Sequence, residues 1–206
     1  MTAMTEWLFG IIAFAAPLDR VSPDRQFPGF EESTEQRRDR YESIAADLER
    51  FTFDPDTKPV FSGDHGRART AALLLSIAYH ESGFAKDVDL GPCWRGKNGR
   101  STRCDSGMSA CLMQLHIGNG KTPEGYDQAA LFADRTKCFR AGLRLVRGSF
   151  GACRALPLVH RLNAYASGSC ERGHDASKAL MDMSDRFVTH AKVPGKDSAF
   201  VIQKTP

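Results

Sequence analysis

The sequence lacks every complete signature for metal, nucleotide or serine chemistry, and each gap is specific. No C-x-x-C pair occurs among its six cysteines, which lie at wide spacings between Cys93 and Cys170. Zinc modules gather ligands in close pairs, so this even-numbered set reads as disulfides formed in an oxidising compartment, with connectivity left open. His80 and Glu81 begin like an H-E-x-x-H zinc helix, but Phe84 stands where the second histidine belongs. "GNGKT" at 118–122 ends like a phosphate loop whose first glycine would have to be Leu115. No G-x-S-x-G occurs, and His80, Glu81 and Ser82 are helix neighbours whose side chains diverge by about 100° per step and cannot form a relay. His80 therefore reads as structural.

Charge of one sign is also scarce. The 28 basic and 25 acidic residues leave a net +3, which excludes nucleic acid as the expected partner and allows only mild attraction to an anionic polymer. The longest apolar run, "WLFGIIAFAAP" at 7–17, is too short to span a bilayer comfortably. Ala13 and Ala15 make an A-x-A-like site ahead of Pro17, but no Lys or Arg precedes the run. A cleaved export signal, an N-terminal helix packed on the domain and a misassigned start all fit residues 1–16; the first agrees with the cysteines.

With 206 residues, 41% hydrophobic and 26% charged, the chain can bury one sizeable core. Pro17, Pro23, Pro28 and Gly29 mark residues 17–35 as a linker, 36–190 as the domain and 191–206 as a tail. Tyr41, Ile44, Ala45, Leu48 and Phe51 recur at helical spacing and predict an amphipathic helix over 35–51. A second helix is expected from Arg67 to Ser82, stopped by Gly83, and a third from Asp134 to Phe150. Pro157 suits the first turn of another, continuous through Leu162 and Tyr165 to Gly168. Residues 85–111, polar, glycine-rich and with three cysteines, read as a long stapled loop. No repeat and no run of strands appears, so the class is mainly α.

On the second helix Leu74, Ile77 and Ala78 fall within about 60° of Glu81, which places its carboxyl on the core-facing stripe. An acid held against apolar groups has its charged form disfavoured, and a protonated carboxyl can donate to a glycosidic leaving oxygen.

Three blocks in order resemble the soluble lytic transglycosylases and their relatives, the goose-type lysozymes. "ESGF" at 81–84 resembles the family's catalytic-helix end, "CLMQL" at 111–115 its G-L-M-Q-[LI] segment, and "NAYASG" at 163–168 its A-Y-N-A-G segment. Between the last two, Ala141 and Gly142 match the A-G pair that opens a family helix, and the likeness covers roughly residues 67–172. It implies a lysozyme-like helical domain with Glu81 as the sole essential acid and base. Ser82 would shape the site, Met113 and Gln114 would line the sugar cleft, and Tyr165 would lie near the Glu81 carboxyl or the substrate.

Departures are clear. Cys111 replaces a glycine, and Ala166 and Ser167 replace Asn and Ala, so the asparagine's contact would need another source such as Asn163. Trp94 could stack on a sugar or pack beside a disulfide. The implied substrate is the glycan strand of peptidoglycan, cleaved by a monomeric exported enzyme with neither metal nor cofactor. Transglycosylation needs no second carboxylate, because the substrate's N-acetyl group assists and its C6 hydroxyl attacks to leave a 1,6-anhydro end. A goose-type hydrolase would need an aspartate for water, with Asp87, Asp89 and Asp105 as candidates. A non-catalytic wall-binding protein of the same fold is the rival from another class.

Overall fold

The computed structural model describes residues 1–19, 29–91, 93, 104–117 and 119–195. Trp94 and the tail beyond 195 lie outside the described residues. In chain order the elements are α1 (Ala3–Ala15), α2 (Thr34–Thr52), α3 (Gly66–Ser82), α4 (Lys86–Leu90), β1 (Ser109–Ala110), β2 (Leu115–His116), α5 (Gln128–Ala133), α6 (Arg135–Ala152), α7 (Asn163–Ser167) and α8 (His174–His190). The class is mainly α, as expected, with β1 and β2 forming a minimal antiparallel hairpin.

α3 is the axis. Ala68, Ala71, Ala72, Leu73, Leu74, Leu75, Ile77 and Ala78 are all fully buried, so this helix is apolar on every side, and α1, α2, α6 and α8 pack around it. Each buried Leu or Ile contributes about 1.5–3 kcal/mol relative to exposure. Gly83 adopts the left-handed conformation (φ 57°) that ends the helix, and its N–H closes on the Tyr79 carbonyl. α2 starts at a capping box: Ser33 Oγ accepts from the Gln36 N–H while Gln36 Oε1 accepts from the Ser33 N–H.

α1 belongs to the same core. Met4, Leu8, Ile11 and Ile12 are fully buried against the rest of the chain, and Trp7 Nε1 donates to the Ala191 carbonyl at 3.0 Å. Residues 3–15 are thus a helix packed on the domain in this structure, one of the three readings open for residues 1–16. α8 and α5 were not expected, and α8 closes the bundle through Leu180, Met181 and Phe187, with Ser76 Oγ donating to the Leu180 carbonyl. The continuous helix expected after Pro157 is instead a tight turn at Leu158–His160 followed by α7. The Leu162 N–H donates to Ser177 Oγ rather than to a helical carbonyl, which separates the two pieces.

The stretch 85–111 is more ordered than a loop reading allows. It contains α4, β1 and a turn at Cys104–Gly107. α4 is held by a buried ion network: Arg135 grips Asp89 through Nε (2.6 Å) and Nη2 (2.8 Å), and Arg40 reaches the same carboxylate at 3.4 Å. Arg40 and Arg37 also bind Glu32, which ties the segment before α2 to the body. All six cysteines pair in sequence order, Cys93–Cys104, Cys111–Cys138 and Cys153–Cys170. The second joins the hairpin to α6, and the third joins the end of α6 to the turn before α8; such crosslinks typically add about 2–4 kcal/mol each. Among the described residues no helix is long and apolar enough to cross a membrane.

Candidate active site

Where α3 ends, the bundle opens into a cleft of about 470 Å³. Glu81 stands on one wall; the hairpin residues Met113 to His116 make a second; α6 supplies Arg144, Leu145, Gly148, Ser149 and Ala152; and α7 supplies Ala164, Tyr165 and Ala166. Glu81, Met113, Gln114 and Tyr165 thus meet in one cavity, although they lie far apart in the chain.

The position of Glu81 differs from its wheel position. Leu74, Ile77 and Ala78 are buried, whereas His80 and Glu81 are exposed, because α3 is enclosed on every side until its last turn and then emerges at the cleft. Enough protein surrounds the carboxyl that loss of hydration raises its pKa above the ordinary 4.5, and the Asp105 carboxylate raises it further. Among the described residues no arginine or lysine is paired with it. Half-buried Tyr165 is raised too, first by burial and then by the Glu81 charge, so its phenol keeps its proton.

Asp105 owes its place to an unusual backbone. Cys104, Asp105 and Ser106 have φ of 55°, 45° and 59°, three consecutive left-handed residues without a glycine. Each such residue costs of order 1–3 kcal/mol and persists only where the surroundings hold it. Cys104 is fixed by its disulfide to Cys93, and its N–H donates to Gln114 Oε1 at 2.9 Å. Ser109 Oγ donates to Asp105 Oδ2 at 2.6 Å, which aims the carboxylate. Gln114 Nε2 also donates to the Cys111 carbonyl at 3.2 Å. Gln114 lines the cleft, then, while its amide clamps the turn that carries Asp105.

The other candidates separate clearly. Asp87 and Asp89 are buried away from the cleft lining, and Asp89 is consumed by Arg135 and Arg40, so Asp105 is the aspartate that acts on Glu81. Ser82 is buried outside the lining, with Oγ donating to the Ala78 carbonyl and accepting from the Phe84 N–H. It shapes the helix end rather than the cleft surface. Asn163 cannot supply the missing asparagine contact: it is 0% exposed, and its Nδ2 donates to the Cys170 carbonyl at 2.7 Å.

Several site features escaped the sequence reading. Ser149 Oγ accepts from the Tyr165 N–H at 2.9 Å and donates to the Arg161 carbonyl, which sets α7 and Tyr165 against α6. At Gly142 an added Cβ would lie 2.1 Å from Met113 Sδ, so glycine there lets Met113 seat as the cleft floor. Cys111 keeps the left-handed backbone expected of glycine (φ 58°), secured by its disulfide to Cys138. His116 and Arg144 give the cleft a basic wall. Compared with known proteins, the chain matches no family, no curated protein and no solved structure.

Proposed function

We propose that this protein is an exported, monomeric lysozyme-like enzyme that cleaves the β-1,4 bond of peptidoglycan glycan strands as a lytic transglycosylase. The observation that carries the reading is Glu81: a carboxyl with no cationic partner among the described residues, in a cleft shared with Tyr165, its pKa raised by burial and by the charge of Asp105. Protonated Glu81 donates to the glycosidic oxygen as the bond to C1 breaks. The substrate's N-acetyl carbonyl then stabilises C1, and the C6 hydroxyl attacks it while the Glu81 carboxylate accepts that proton. No water is consumed, and the acid is regenerated. Tyr165 supplies a protonated hydroxyl to the same space, and Met113 a greasy floor for a sugar face.

The motif positions are compatible with this reading: Gly142 lies beneath Met113 and Cys111 has a left-handed backbone, although the Ala141–Gly142 pair sits inside α6, which begins at Arg135, rather than opening it. The three disulfides fit an oxidising compartment outside the cytosol.

Asp105 favours a second reading. A carboxylate acting on Glu81 could activate water for hydrolysis, as in a goose-type lysozyme. Mass analysis of fragments released from purified peptidoglycan separates the two. Transglycosylation leaves 1,6-anhydro-N-acetylmuramic ends, one water lighter than the reducing ends of hydrolysis; accumulation of reducing ends would make Asp105 the base and overturn the first reading.

A further inference from the structure

We infer that Arg144 is a specificity residue that reads a carboxylate carried by the glycan, an inference that rests on the glycan-cleaving reading above. Arg144 lies on the cleft-facing side of α6, beside Leu145 and one turn before Gly148. Its Nε is 2.8 Å from Glu124 Oε1. The Glu124 side chain is only 18% exposed, and its carboxylate oxygens make no hydrogen bond among the described residues, so the guanidinium is the cation that this buried charge holds in place.

The protein's own arginines show what such a group does. Arg135 binds Asp89 through Nε and Nη2 and turns Nη1 to a second carboxylate, Asp47, at 2.9 Å. Arg40 likewise spans Glu32 and Asp89. Among the described residues Arg144 has one carboxylate partner, Glu124, approached through Nε alone. Its side chain is 49% exposed, and its terminal nitrogens carry donors suited to a planar anion on the cleft side. A guanidinium pinned by one carboxylate loses less freedom on binding another than a free surface arginine does. Exposed His116 lies on the same wall and adds no negative charge there.

The ligand chemistry follows. Neutral GlcNAc oligomers offer Arg144 nothing beyond hydroxyls and amides. Strands that alternate GlcNAc with N-acetylmuramic acid carry a lactyl carboxylate, or the stem peptide attached through it, at every second sugar. The basic wall therefore selects the acidic polymer over neutral chitin-like chains, and it places the muramic ring relative to Glu81.

Calorimetric binding to the full-length Glu81→Gln protein, with and without Arg144→Gln, tests this. Peptide-free GlcNAc–N-acetylmuramic acid oligomers and GlcNAc oligomers of equal length serve as probes. Loss of one charge-assisted contact should weaken binding of the acidic oligomer about tenfold or more, with the neutral oligomer unchanged within about twofold. Arg144→Lys should recover part of the loss, and raising the salt should shrink the difference. Equal weakening of both probes, or of neither, overturns the role of Arg144. If the parent protein binds neither oligomer, the glycan reading itself fails and takes this inference with it.

Discussion

Two carboxylate clusters, one around Asp89 in α4 and one around Glu81 at the end of α3, are built on opposite principles. Around Asp89 the charges are paired: Arg135, Arg40, Glu32 and Arg37 form a buried network of alternating sign with it. Burial alone would raise Glu32, but hydrogen bonds and charge from Arg40 and Arg37 outweigh it and hold its pKa low. Glu81 has no cationic partner among the described residues; burial raises its pKa and the negative charge of Asp105 raises it further. One cluster spends its charge on holding α2, α4 and α6 together. The other leaves Glu81 holding its proton more tightly than an ordinary carboxyl, the property the proposed cleavage requires, and pairing is what separates the two.

The comparison breaks first at the paired end. Asp89→Asn leaves Arg40 and Arg135 without their shared anion in a dry site, and removing one partner of a buried ion pair typically costs about 3–5 kcal/mol. Urea unfolding should show that loss; a change below about 1 kcal/mol would mean that the network holds nothing. At the other end packing is the weak point rather than charge. Gly142→Ala would drive a methyl group into the Met113 thioether, whose flexible end must shift; overpacking of about 1–3 kcal/mol is offset by the roughly 1 kcal/mol that alanine gains over glycine in a helix, so stability should fall by no more than about 2 kcal/mol. Cleavage should fall with it, because the cleft floor moves.

The smallest effect is the sharpest. Asp105→Asn removes the negative neighbour, so Glu81 ionises more easily and its pKa falls. The acid form is then lost at lower pH, and the basic limb of the pH–activity profile should shift downward, with the rate at its acid end retained. Loss of activity at every pH would instead assign Asp105 the hydrolytic base role.

Much of this was legible beforehand, and the reasons are physical. The expected helices at 35–51, 67–82 and 134–150 correspond closely to α2, α3 and α6, because apolar periodicity marks α2 and α6, and a long apolar run stopped by the left-handed Gly83 marks α3. α8 was missed because buried Ser177 and Ser184 interrupt its stripe of Leu180, Met181 and Phe187 with polar residues. The hairpin was missed because two-residue strands are too short to show alternation. Glu81, Met113, Gln114 and Tyr165 were readable as a set from motif order. That Asp105 acts on Glu81 was not, since it depends on three left-handed residues and a disulfide whose connectivity the spacing leaves open. Nor was Arg144 readable, as its partner Glu124 sits in a turn with no pattern.

The claim that Glu81 is a protonated acid held for catalysis makes a joint prediction about activity and stability. Because its folded pKa lies above the ordinary 4.5, the folded protein binds this proton more tightly than the unfolded chain, and stability falls as pH rises from below 4.5 through the folded value. Glu81→Gln removes that cost along with the transferable proton. Peptidoglycan turbidity clearance and thermal unfolding at pH 7 and pH 4, on the wild-type and variant proteins together, test both halves. The account predicts a loss of about 10² to 10⁴ in rate, a higher Tm at pH 7 and nearly equal Tm values at pH 4. A folded variant that clears the wall at more than about a tenth of the wild-type rate, or one whose Tm drops at pH 7, would contradict it.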